Sequence, residues 1–284
     1  MKLPTENHSI TALIDKHHES QQGRPRPHMG CSLLGHPCDR WLWLNFRWAM
    51  PEQFSGRMLR LFRRGHNEEV TVIDDLKAIG VDVFDMKEGQ HFVSFGSHVS
   101  GSLDGLIGGG VPGAGENQGH VLEIKTHSAK SFSWLTKNGV ETAKPMHYAQ
   151  MQVYMHGSGM DRALYVAVNK DNDELHTERV KYNQTEAEAL IMRGQSIALS
   201  QELPDMMPEA KPEAFTCKYC PALGFCHQTF KPGPEIARNC RTCQHSKPTK
   251  DSTWQCLKWD AEIPLDAQYE GCEQYQEHNA LGAF

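Results

Sequence analysis

The placing of the cysteines constrains this 284-residue chain more than any other feature. Cys217, Cys220, Cys226, Cys240, Cys243, Cys256 and Cys272 fall in the last quarter, and Cys31 and Cys38 stand near the front. The opening stretch lacks the apolar core of a secretory leader, and no run of eighteen apolar residues occurs. The expectation is therefore a cytoplasmic protein without a membrane span, in which thiols are free or bind metal rather than pair as disulfides. Within Cys217–Cys226 the spacing is C-x2-C-x5-C. Taken alone, that is a redox pair or three ligands of a tetrahedral site, one short of closure.

The last four cysteines form C-x2-C-x12-C-x15-C. Thiols spaced in this way suit a structural zinc site made by Cys240, Cys243, Cys256 and Cys272, in which His245 or His278 could replace one cysteine. Residues 231–284 are cysteine-rich, with little helical or strand pattern, so they read as a small appendage that needs such a staple. The alternative is a flexible tail with incidental thiols. Cys31 is left over, as a buried free thiol or as the missing fourth ligand of the C-x2-C-x5-C group.

The rest of the chain reads as one α/β domain over 28–230, preceded by an N-terminal segment, 1–27. Hydrophobic residues make up 39% and charged residues 23%, enough to bury a core. A net charge of −6 excludes a generally basic surface but not a local basic groove. A short helix is expected from Asp39 and a long one from about Ser55 to Ala78, closed by Gly80. The stretches VDVFD, HFVSFG, HVSGSLDGLI and HVLEIKT read as strands, the last two joined by a glycine-rich hairpin tip. A helix follows from Pro145 to Gly157. RALYVAVNKDNDELHTERVKY reads as a hairpin turning at NKDND, and QTEAEALIMRGQSIALSQEL as a last long helix. This order predicts a mixed sheet flanked by helices.

Asp104 precedes Gly105, and Glu123 and Lys125 stand two apart on the next strand, hence on one face. Two carboxylates and a lysine on a buried face are expensive to desolvate, and a divalent cation would offset that cost. The plain alternative is the solvent face of a hairpin with one Glu–Lys pair. Gln150 and Tyr154 share a helix face, which by itself indicates a partly buried contact. Glu69 follows Gly65 by four positions, and Glu68 and Glu69 together read as a solvated face.

In this order, G-x3-E, D-G, E-x-K and Q-x3-Y resemble the RecB-like branch of the PD-(D/E)XK nucleases. The likeness covers roughly residues 28 to 230. Members such as the CRISPR-associated RecB-like exonucleases and the AddB subunit carry an iron–sulfur cluster, held by one cysteine before the core and a C-x2-C-x5-C group after it. The resemblance implies a restriction-endonuclease-like core closed by a 4Fe–4S clasp of Cys38, Cys217, Cys220 and Cys226. It implies Mg²⁺ or Mn²⁺ held by Asp104, Glu123, the Ile124 carbonyl and Glu69, with Glu68 the alternative to Glu69. Lys125 would orient water or steady the phosphate, and Gln150 and Tyr154 would position DNA or Lys125. The activity implied is hydrolysis of DNA, as an exonuclease on ends or single strands, in recombination, repair or phage DNA processing, with recombination or replication proteins as partners. The alternative is a non-catalytic nucleic-acid-binding scaffold with the same clusters.

Arg57, Arg60, Arg63 and Arg64 recur along the helix leading to Glu69 and are candidates for backbone phosphates, against a plain solvated face. Arg40 and Arg47 alternate with Trp41, Trp43 and Trp48, and a tryptophan-rich helix of this kind favours core over a stacking surface. The sixteen histidines are scattered and predict no metal site.

Overall fold

RALYVAVN is apolar without alternation, and such a strand persists only with both faces covered. In the computed structural model, which describes residues 9–85, 92–115, 118–228 and 235–282, this stretch is β7 (Arg162–Asn169), buried from Ala163 onward. It lies parallel to β6 (His120–His127), with Glu123 opposite Tyr165 and Lys125 opposite Ala167. A parallel pair needs a crossover, made here by α4 (Ala129–Ala143) and α5 (Pro145–Ser158). β8 (Leu175–Lys181) pairs antiparallel on the outer side of β7, and its exposure alternates as an edge strand should. On the other side β5 (Gly105–Gly109) and then β2 (Asp82–Asp85) complete a five-stranded sheet in the order β2-β5-β6-β7-β8.

Two apolar layers cover this sheet. On one face Leu122 and Ile124 of β6 and Leu164, Val166 and Val168 of β7 pack with Val72 and Ile73 of α3 (Gly56–Ala78). On the other, Val121, Ala163, Tyr165 and Ala167 join Met151, Val153 and Met155 of α5 and Ile191 and Ile197 of α6 (Gln184–Leu199). α3 starts where Ser55 caps the Met58 amide, and Gly80 follows its end at φ 87°, a left-handed conformation that glycine adopts without strain.

The structure departs from the sequence reading in four places. HVSGSLDGLI is not one strand. β4 (Val99–Ser102) belongs to a second, three-stranded sheet with β1 (Met29–Gly30) and β3 (Phe92–Gly96), and the chain changes sheets between Ser102 and Gly105. α4 occupies a stretch where no element was expected, because Gly139 at φ 74° interrupts its periodicity. α1 (Ile10–Ser20) likewise forms in the N-terminal segment; its short apolar stripe of Ile10, Leu13 and Ile14 stays exposed and buries no residue. The tail, read as poor in pattern, holds a small sheet of β9 (Ser246–Pro248), β10 (Trp254–Cys256) and β11 (Ala261–Glu262), then α9 (Leu265–Glu270).

The tail shares the core of the body. Trp254, Ile263 and Leu281 belong to the same apolar cluster as Trp43 and Phe46 of α2 (Asp39–Phe46). Arg241 is 1% exposed and donates to the carbonyls of Phe46 and Pro27 and to Gln268, with its guanidinium 3.6 Å from the Trp48 ring centroid. Arg47 answers from the body, donating to the Arg241 and Ser200 carbonyls over the Trp43 ring. Trp43, Trp48 and Arg47 are thus core, as a tryptophan-rich helix suggests.

Candidate active site

The change of sheets at Asp104 builds the centre of the site. β5 begins at Gly105, opposite Leu122, so β6 past Leu122 has no β5 partner and the Ile124 amide lacks a backbone acceptor on that side. The Asp104 side chain takes that place, its Oδ2 accepting from Ile124 N at 2.9 Å. This sets Asp104 beside Glu123 and Lys125, which the pleat of β6 directs to one face. Lys125 Nζ stands 2.5 Å from Glu123 Oε1 and 3.4 Å from Asp104 Oδ2, and donates to the Ile124 carbonyl at 3.0 Å. From α5, Gln150 Nε2 donates to Glu123 Oε2 at 3.1 Å. Glu123 is wholly buried, and its Oε1 is met by the Lys125 ammonium.

Glu69 reaches the group from α3, and Glu69 and Lys125 line an open cleft of about 370 Å³. Burial pushes the Glu69 carboxyl up to about 7, with Asp104 adding to the rise and Lys125 opposing it. Burial raises Glu123 to about 8, again opposed by Lys125 and helped by Asp104. For Lys125, burial works against the charge, but Glu123 and Asp104 together outweigh it and hold the ammonium above the ordinary lysine range. Three carboxylates against one ammonium leave two negative charges uncompensated when all are ionised. The ammonium stands between the carboxylates of Asp104 and Glu123.

Gln150 and Tyr154 do not face the cleft. They are 6% and 3% exposed; Gln150 fixes the Glu123 carboxylate, and Tyr154 packs near Gly101 and Cys31. Burial and then Glu123 push the Tyr154 hydroxyl up, so it stays protonated. Both therefore lie behind the acidic group. Of the arginines on α3, Arg60 is ion-paired with Asp15 of α1 and Arg64 donates to the Lys170 carbonyl at 2.6 Å, while Arg57 and Arg63 are exposed.

Sequence reading missed the cleft wall. His127 shares the face of Glu123 and Lys125, and the same period of two along β6 could have singled it out. Its Nε2 meets Tyr165 Oη at 2.9 Å and its Nδ1 meets Ser131 Oγ at 3.1 Å; His147 Nδ1 meets the same tyrosine at 2.8 Å. Burial, then Lys144, lowers His127 to about 4; burial, then Lys125, lowers His147 to about 3. Both rings are neutral near pH 7.

The cysteines gather as two groups. Cys38, at the head of α2, lines one apolar pocket with Cys217, Cys220 and Cys226 from α7 (Phe215–Lys218) and α8 (Leu223–His227) and the turn between them. Cys240, Cys243, Cys256 and Cys272 line another with His245. His278 turns instead onto the Trp43 ring. Burial pushes Cys220 and Cys240 up to about 11, and the neighbouring cysteines of each group add to the rise. Cys31 lies apart, fully buried, its thiol raised to about 12 by burial. Among the described residues no three or more His, Cys, Asp or Glu side chains already stand in ion-holding geometry.

No family model matches the chain, and no curated protein matches it in sequence. Solved structures do. The protein SSO0001 aligns over 76% of this chain and 95% of its own, at 15% identity and a TM-score of 0.45. An alkaline exonuclease from Laribacter hongkongensis aligns over 64% and 90%, at 15% identity and a TM-score of 0.44. A phage-related exonuclease from Haemophilus somnus aligns over 60% and 91%, at 16% and 0.39. The chain is a mixed α/β protein with helix-flanked sheets, and no described helix is long and apolar enough to cross a membrane.

Proposed function

We propose that the protein is a divalent-metal-dependent DNA nuclease of the RecB-like PD-(D/E)XK kind, acting as an exonuclease on DNA ends or single strands. The observation that carries this is the convergence of Asp104, Glu123, Lys125 and Glu69 into one group, of which Glu69 and Lys125 line the cleft, with Gln150 braced behind Glu123. The donor set fits Mg²⁺ or Mn²⁺: hard oxygens, two negative charges beyond what Lys125 compensates when all are ionised, and a wholly buried carboxylate whose Oε1 is met by a cation. Asp104, Glu123, Glu69 and the Ile124 carbonyl would hold the ion, which would supply Lewis acidity and charge neutralisation at the scissile phosphate. Lys125, which already lines the cleft and is 26% exposed at its side chain, would donate there to the phosphate or to the attacking water. Gln150 keeps the Glu123 carboxylate turned to the site. Asp104 holds β6 in place through the Ile124 amide. The reading places the protein in recombination, repair or phage DNA processing.

Its test is incubation of labelled linear DNA with Mn²⁺. Wild type should degrade the DNA and Asp104→Asn should not; equal behaviour of the two defeats the reading.

The cysteine groups extend the proposal. Four thiols and no carboxylate make a soft set at each site, suited to a 4Fe–4S cluster at Cys38, Cys217, Cys220 and Cys226 and to zinc in the tail. The first joins segments about 180 residues apart, so its effect is to close a long loop. Anaerobic purification with metal analysis should give about four irons and one zinc per chain. Two zincs and no iron would reassign the first group.

A further inference from the structure

Five side chains form a hydrogen-bonded file along the cleft that the chemistry above does not use. Lys144 Nζ donates to Ser131 Oγ at 2.6 Å, Ser131 meets His127, His127 meets Tyr165, and Tyr165 meets His147. The direction of the protons follows from its first member. An ammonium can only donate, so Ser131 accepts from it and sends its own proton to His127 Nδ1. His127 is neutral and therefore carries its proton on Nε2, which donates to Tyr165 Oη. The tyrosine donates in turn to His147 Nδ1. The reverse order would leave the Ser131 hydroxyl without an acceptor. His147, also neutral and a lining residue of the cleft, is left with its N–H on Nε2, which makes no hydrogen bond among the described residues.

Lys144 is unlike Lys125. Lys125 is matched by Glu123 and Asp104, whereas Lys144 has no ion pair among the described residues. Its backbone is fixed: its amide donates to the Val140 carbonyl, and its own carbonyl accepts from the His147 and Tyr148 amides. The cleft edge carries further positive charge, since Arg64 is bonded to the Lys170 carbonyl and the Lys170 amide to that of His127. The negative groups nearby are Glu69 in the cleft and Asp171, which is engaged with the Ala129 amide.

We propose that the Lys144 ammonium and the His147 Nε2–H form a second phosphate subsite, which takes a backbone phosphodiester of the bound strand beside the one served by Lys125. The inference rests on the nuclease reading and adds the path of the strand, along β6 toward the head of α5. Lys144 supplies the charge, and the proton file fixes His147 as a donor.

The test is equilibrium binding of a fluorescent single-stranded oligonucleotide with Ca²⁺ in place of Mg²⁺, across roughly 50 to 200 mM salt. Losing one phosphate contact to a single strand lowers the slope of log K against log salt by about 0.7. Lys144→Ala should show that fall together with about tenfold weaker binding at the lowest salt. Lys144→Arg should restore the slope. His147→Ala should weaken binding by about fivefold with the slope unchanged, because a neutral donor displaces no counterion. If wild type cleaves DNA while Lys144→Ala binds with wild-type affinity and slope, the subsite is wrong and the nuclease reading stands. If wild type neither binds nor cleaves, the nuclease reading falls and the subsite with it.

Discussion

Replacing Glu123 by glutamine is expected to lower DNA cleavage in saturating Mn²⁺ at least ~10³-fold while making the metal-free protein more stable at pH 8. The first effect follows from losing a charged ligand at the centre of the site; several kcal/mol of transition-state stabilisation corresponds to about three decades of rate. The second follows from proton linkage. Burial raises the Glu123 carboxyl from its ordinary value of 4.5 to about 8. Below about pH 4.5 the group is protonated folded or unfolded, and the stability it contributes is fully present. As pH rises toward 8 the unfolded chain ionises first, so the contribution is progressively lost. Glutamine has no such proton and can still accept from Gln150. The melting temperatures of wild type and Glu123→Gln should therefore converge near pH 4 and separate by pH 8, with the variant higher. Cleavage by the variant at the wild-type rate would remove Glu123 from the chemistry. A lower melting point at pH 8 would show that its charge is compensated within the fold.

Arg241→Ala should produce the largest loss of stability of any single change in the tail, about 3–5 kcal/mol. The guanidinium makes three side-chain hydrogen bonds at 2.8–3.0 Å and lies against the rings of Trp48, Trp254 and Phe46. Alanine leaves the Phe46 and Pro27 carbonyls buried without that donor and opens a cavity between tail and body. At about 2–4 °C per kcal/mol, the melting temperature should fall by roughly 6–20 °C. Arg238→Ala is the control: Arg238 is exposed and lies over Tyr275 at the rim, so it should change stability by less than about 0.5 kcal/mol. Equal melting of Arg241→Ala and wild type would mean that the tail does not anchor through this residue.

Much of the frame was legible because local signals and tertiary demands agree there. Ser55 and Gly80 bracket α3 in sequence as they do in the structure, and the unbroken apolar run of β7 marks a strand covered on both sides. The pleat alone puts Glu123 and Lys125 on one face. The change of sheets at Asp104 was not legible. It depends on where β4 finds its partners, β1 and β3, and no local residue reports that. The file through His127, Tyr165 and His147 was hidden for a related reason. Its members come from β6, β7 and α5, and α4, which supplies Ser131, is interrupted by Gly139. Arg241 stands between two cysteines and reads as an exposed charge; only three-dimensional packing shows it buried among aromatic rings. The cysteine groups were divisible by spacing, but the setting of Cys31 deep in the core beside Tyr154 was a matter of packing.

The position of α2 has a consequence for how the protein is made. Its first turn adjoins Cys38, which faces residues 217–226, and its far end is locked by Arg241, since Arg47 and Arg241 are 194 residues apart. A ribosome adding about 5–20 residues per second needs roughly 10–40 s to travel from one arginine to the other. For that interval the helix carrying Trp41 and Trp43 is already outside the exit tunnel with none of its final neighbours from the C-terminal end. The last fifty residues therefore act as a release signal in time: until they emerge, an aromatic segment from the start of the chain is exposed to whatever chaperone or competing surface meets it first.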